Sequence, residues 1–274
     1  MKPQIHQIRI DFNVTPKIQR YVYVYIIEAQ HCYLIDSGVF GCESKIVSYL
    51  ERIGRTVSDI KGIFLTHAHP DHIGSLAWFR EHTNCRIYAS IGEKRWIENI
   101  DLQFKERPIP NFYLLAGKSS NVDVIVQDGD MLLLEDGLTL EVMRTAGHSV
   151  DEVSYRMGEC MFIGDAIPVK GDIPIMVDEM EQRRTMLRFE KLVGVQTFYP
   201  AWDMIYNKEM MSRKLDDANE LLSTLKNAVV ALDHGEALPI LIEKVCKVLD
   251  QDRFKENPLF ATTIESLRER EDKI

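Results

Sequence analysis

At 274 residues, with 45% hydrophobic and 27% charged side chains, the chain can bury a sizeable core without disulfides or a structural metal. Its formal net charge of −9 and the absence of any Lys/Arg block exclude a duplex-binding surface, so no nucleic-acid partner is expected. There is no long apolar run, no apolar segment in the opening MKPQIHQIRIDF, and no C-x-x-C among the five cysteines (Cys32, Cys42, Cys85, Cys160, Cys246), so the reading is a cytoplasmic protein with reduced thiols and no membrane partner.

In chain order, YVYVYII (21–27) and CYLID (32–36), split by EAQH, read as a hairpin. SKIVSYLERIG (44–54) has helical spacing and ends at a glycine suited to a helix C-terminus. GIFLT (62–66) and RIYAS (86–90) read as strands with a helix between them over DHIGSLAWFREH. The segment 90–118 is long, aromatic-bearing and punctuated by prolines. It is either a loop covering a pocket, with Lys94, Arg95, Lys105, Arg107 and Lys118 meeting an anionic substrate, or an ordinary solvated helix and loop.

Five further strands are expected at VDVIV (122–126), MLLLE (131–135), LTLEVMRT (138–145), EVSYRM (152–157) and CMFIG (160–164), with Asp-Gly turns at 128–129 and 136–137. EQRRTMLRFEKLVG (181–194) is helical and VQTFYP (195–200) is the last strand. From Met211 the pattern is helical through NPLFATTIESLRERE. A boundary near 210 therefore separates a domain over 1–210 from a helical extension over 211–274, which either closes over a pocket or forms a homodimer face. Strands interspersed with helices point to an α+β class, with sheets covered by helices.

The densest chemistry lies in FLTHAHPDHIGSL (64–76). On an extended segment His67 and His69 share a face, Pro70 ends the strand, and Asp71 and His72 open the next helix. Neutral imidazole and carboxylate are ligands for a zinc-type divalent ion, and four such groups in six residues without a metal would carry desolvation and repulsion. His6, His31, His82 and His234 read as ordinary surface or hydrogen-bonded residues.

In these residues the chain resembles the metallo-β-lactamase superfamily, whose signature H-x-H-x-D-H is matched by His67, Ala68, His69, Pro70, Asp71 and His72. TAGHS supplies His148 for the family's next ligand, FIGDA supplies Asp165, and LIDSG offers Asp36, either orienting a ligand histidine or simply bonding within a turn. The resemblance covers residues 20 to about 203. It implies a four-layer αββα sandwich with His67, His69 and His148 on a first metal, Asp71 and His72 on a second, and Asp165 bridging. It further implies zinc, one or two per chain, with iron or manganese as alternatives, and a metal-activated water whose proton Asp71 accepts.

The family's closing P-G-H reads here FYPAWD, so the histidine slot falls on Trp202, which cannot ligate. Three readings stand: Asp203 replaces the histidine, the second site is weaker, or it is empty. Trp202 is a candidate for stacking on substrate, and 166–179, directly after Asp165, is expected near the metals. The implied activity is hydrolysis of a small cytosolic ester, lactone or thioester; an iron sulfur-dioxygenase-like enzyme and a metal-binding protein with lapsed catalysis are the alternatives.

Overall fold

The computed structural model describes residues 3–16 and 18–268. Its elements are β1 (Gln4–Thr15), β2 (Ile18–Glu28), β3 (Cys32–Ile35), α1 (Glu43–Arg52), β4 (Ile60–Phe64), α2 (Pro70–Ile73), α3 (Leu76–His82) and β5 (Arg86–Ser90). Three short helices follow, α4 (Ile91–Ile97), α5 (Ile100–Glu106) and α6 (Phe112–Ala116), then β6 (Val124–Val126), β7 (Met131–Glu135), β8 (Leu138–Arg144), β9 (Val153–Met157) and β10 (Cys160–Gly164). The chain continues through α7 (Glu179–Glu190), β11 (Thr197–Pro200), β12 (Tyr206–Asn207), α8 (Lys208–Leu232), α9 (Leu238–Val248) and α10 (Leu259–Leu267). The end of the last expected helical stretch, 269–271, lies outside the described residues.

Two six-stranded sheets form, in the orders β1-β2-β3-β4-β5-β6 and β12-β11-β10-β9-β8-β7. Strand alternation divides their side chains between three apolar layers. In β2, Val22, Val24 and Ile26 face the first helical layer, while Tyr25 and Ile27 face the other sheet. In β10, Met161 and Ile163 face the second helical layer and Phe162 faces the sheet opposite. The result is the expected αββα sandwich, with the middle layer built from Tyr25, Ile27, Phe64, Tyr155 and Phe162 among others.

The long β1 was not read from the sequence; its Ile8 and Ile10 pack into the first helical layer as it pairs with β2. The helix expected over 71–82 is broken in two at Gly74, where a Cβ would lie 2.1 Å from the Leu115 carbonyl oxygen and 2.2 Å from the Phe40 nitrogen. The helices of the proposed extension share one apolar cluster with the second sheet. Leu215, Leu222, Leu241, Phe260 and Ile264 pack with Met161, Ile163 and Phe198. They supply the outer layer of that sheet, and α8 starts directly from β12 with Asn207 capping its first turn.

Candidate metal centre

The strands β3, β4 and β10 deliver their following residues to one edge of the sandwich. β3 and β4 are parallel neighbours, so Asp36 and the Thr66–His72 loop emerge side by side. β10 ends at Gly164 and presents Asp165 from the facing sheet, and the loop after β8 brings His148. Ligand atoms of His67, His69, His148 and Asp165 lie within 4.8 Å of one another. His148 Nε2 is 2.9 Å from His69 Nδ1 and 3.3 Å from Asp165 Oδ2, and His72 Nε2 is 3.4 Å from the same oxygen. Asp71 Oδ2 stands 3.9 Å from His72 Nε2.

The bonds behind these side chains settle how the rings present themselves. His72 Nδ1 donates to Asp36 Oδ2 at 2.8 Å, and His148 Nδ1 donates to the Ile175 carbonyl at 2.8 Å, because neither oxygen can donate. Thr66 gives its hydroxyl proton to Asp36 Oδ2 at 2.9 Å, which leaves its oxygen to accept from His67 Nδ1 at 3.0 Å. All three imidazoles therefore turn Nε2, not Nδ1, inward, the orientation a metal ligand needs. Asp36 does this from a left-handed backbone at φ 61°, while its Oδ1 accepts from the Thr66 amide at 2.8 Å. Replacing Asp36 with Asn is expected to weaken divalent-ion affinity about 10–100-fold, read by competition with a chromophoric chelator.

The Nε2 atoms of His67, His69 and His72 and Oδ1 of Asp165 are buried with no hydrogen-bond partner among the described residues. Orphaned nitrogen and oxygen lone pairs converging in one place fit a divalent metal ion. Burial, reinforced by neighbouring positive charge, holds the His67 and His69 imidazoles well below their usual pKa, so both stay neutral and able to ligate. Burial likewise lowers His148 to about 4. Burial raises the Asp71 carboxyl, against the pull of the His72 charge.

Asp203 is bonded within its own segment and to α8. Its Oδ1 accepts from the Met204 amide at 2.7 Å, and its Oδ2 accepts from the Tyr206 hydroxyl at 2.8 Å and from Lys214 of α8. Each oxygen thus has a partner in the chain that follows, and Asp203, like Asp71 and His72, lies outside the four-residue cluster. Trp202, in the histidine slot, lines the cavity beside the cluster together with Asp71, His69 and His148. The expected second group of donors is left as Asp71, His72 and Asp165. His234 lies exposed after α8.

Three further residues shape the centre without having carried a sequence signal. Glu93, 1% exposed in α4, accepts from the Ala68 amide at 3.0 Å, from the Asp151 amide at 3.0 Å and from the Ser149 hydroxyl. It ties the loop bearing His67 and His69 to the loop bearing His148. Gln103 of α5 donates to the Ala68 carbonyl from the other side. Glu152, fully buried, accepts from the Asp165 amide at 2.8 Å, and Gly164 leaves the room for it, since a Cβ there would meet Glu152 Oε1 at 2.5 Å. The segment 90–118, where either a covering loop or solvated helices were open, holds three short helices, with Glu93 and Gln103 backing the centre and Arg107, Ile109, Pro110 and Leu115 lining the cavity beside it.

Residues 18–200 match the Metallo-beta-lactamase superfamily. Among curated proteins, the chain is 31% identical over 156 residues to the "Probable metallo-hydrolase YqgX" of Bacillus subtilis (strain 168), covering 54% of this chain and 64% of that protein. It is 27% identical over 150 residues to a hydroxyacylglutathione hydrolase of Nitrobacter hamburgensis, covering 52% of this chain and 49% of that one. The match thus spans between about half and two-thirds of these relatives. Among solved structures, a metallo-beta-lactamase family protein of Thermus thermophilus aligns with TM-score 0.72 at 18% identity over 95% of this chain and 92% of that one. The subclass B3 enzyme BJP-1 of Bradyrhizobium japonicum aligns with TM-score 0.62 at 21% identity, over 81% and 96%. At these identities the structural likenesses speak to the fold. With the family match covering most of the chain and the ligand cluster standing where its strands end, the protein belongs to the metallo-beta-lactamase superfamily.

Proposed function

We propose that the chain is a metal-dependent hydrolase of a small ester, lactone or thioester. The observation that carries this reading is the convergence of unpartnered imidazole nitrogens of His67, His69 and His72 with the Asp165 carboxylate, beside an apolar cavity of about 230 Å³ that His69, His148 and Asp71 line. His67, His69, His148 and Asp165 would hold a first divalent ion, with zinc best suited to three nitrogens and an oxygen, and Asp71, His72 and Asp165 would hold a weaker second one. When bound, such an ion supplies Lewis acidity, acidifying water and polarising an acyl carbonyl.

The chain's own residues do the rest. Asp71 lines the cavity with its side chain 13% exposed, close enough to the surface to exchange protons and buried enough for its carboxyl to be raised. It accepts the proton of the water that adds to the acyl carbon and returns it to the departing alkoxide or thiolate as the C–O or C–S bond breaks. The names of the curated relatives, a probable metallo-hydrolase and hydroxyacylglutathione hydrolases, support a hydrolase over the oxygenase alternative. A panel of esters, lactones and thioesters, assayed before and after chelation, is the test. Turnover of at least one class, lost on chelation and restored by zinc, is expected. No metal-dependent turnover across the panel would leave a metal-binding protein with lapsed catalysis.

A further inference from the structure

We propose that the cavity beside the metal centre takes a ligand bearing an anionic group, received by the Arg107 guanidinium, so that the preferred substrate is an acyl compound with a short apolar body and a negative charge. This substrate assignment rests on the hydrolase reading above; the anion site does not. Apolar side chains make up most of the cavity wall, among them Phe12, Ile109, Ile173 and Leu259, and three arginines interrupt them. Two of the three are engaged. Arg20 Nη1 donates to both Asp172 oxygens at 2.9 and 2.7 Å, and Arg253 donates to the Gly171 carbonyl and to Gln251 at 3.3 Å. Arg107 is the exception, its guanidinium having no hydrogen bond or ion pair among the described residues.

Arg107 follows α5 directly, its backbone fixed by a 2.7 Å bond to the Gln103 carbonyl and by the Pro-Ile-Pro run after it. Guanidinium keeps its charge in proteins, and even the burial that lowers this one to about 10 leaves it cationic at neutral pH. Asp71, Glu93 and Asp165 act on it through space without bonding it. A planar fork of five donors held unpaired among apolar side chains is matched by a carboxylate, sulfonate or phosphate. A second donor in the same wall agrees. The Trp202 indole N–H is buried and has no acceptor among the described residues. Both donors line the same cavity as His69, Asp71 and His148. The acyl carbon goes to Asp71, His69 and His148, and the anion to Arg107.

The competing account is that Arg107 only offsets the three carboxylates, which would change neutral and anionic substrates alike. The deciding experiment uses the zinc-loaded protein, Arg107→Met and Arg107→Lys. Calorimetric titration compares hexane-1-sulfonate, a poor metal ligand, with uncharged hexanamide. Hydrolysis compares p-nitrophenyl hexanoate with the mono-p-nitrophenyl ester of adipic acid, which adds a terminal carboxylate. A charge-assisted pair predicts that the sulfonate binds about tenfold tighter than the amide, a preference lost in Arg107→Met and partly kept in Arg107→Lys. It also predicts that Arg107→Met lowers kcat/KM for the adipate ester about tenfold more than for the hexanoate ester. Equal binding of the two probes to the unaltered protein, or equal losses on both esters, overturns the anion site while leaving the hydrolase reading in place. If neither ester turns over, the hydrolase reading is what suffers, and the sulfonate titration alone decides for or against the anion site.

Discussion

Asp71→Asn is expected to lower kcat for any ester, lactone or thioester the protein turns over by about 10²–10⁴-fold, the range for removing a positioned general base. The amide matches the carboxylate in shape, so packing against Pro70 and His72 is kept and the loss falls on proton transfer. Asp71 is also one of the donors expected at the second metal, so rate and metal content must be measured on the same sample. A fall in kcat with the tightly held ion retained assigns the loss to proton transfer. A parallel loss of metal would place Asp71 among the ligands first, and unchanged turnover would remove it from the chemistry.

The second large effect concerns the metal itself. Elemental analysis of the purified protein is expected to find about one tightly held divalent ion per chain, rising towards two only in excess zinc. The first group has three imidazoles and a carboxylate within 4.8 Å, whereas the second has one imidazole and two carboxylates, one of them shared. His67→Ala is expected to abolish tight binding and to lower turnover at least about 10³-fold, because a ligand of the first group is gone. Asp203→Asn is the contrasting variant. Its carboxylate already bonds Tyr206, Lys214 and the Met204 amide, so the metal count should not change, although α8 loses an ion pair. A drop in metal content there would put Asp203 back among the ligands.

How much of this was legible beforehand follows from how local each feature is. The signature from His67 to His72 is read within a single turn between strand and helix, where spacing alone puts the rings together. The strands from Ile18 to Pro200 show because each is a short alternating or continuously apolar run, and Asp-Gly pairs mark two of the turns between them. β1 escaped notice because QIHQIRIDFNVT is polar on its outer side and only Ile8 and Ile10 are buried deeply enough to speak for it. The break at Gly74 was not legible at all, since it answers to the backbones of Phe40 and Leu115, far away in sequence.

The sequence by itself determined the inventory of candidate ligands considered, the family resemblance and the order of most strands and helices between Ile18 and Pro200, because each of these is written in short-range spacing of residue types. Only the tertiary structure decided what those residues face. It showed that Asp36 orients His72, that Glu93 and Gln103 grip the peptide groups of Ala68, and that Asp203 turns to Lys214. It also packed Leu215, Phe260 and their neighbours onto the second sheet and left Arg107 unpaired in the cavity wall. Each of these depends on side chains brought together across many residues by burial of the three apolar layers, and hydrophobic burial has no direction that a local pattern could record.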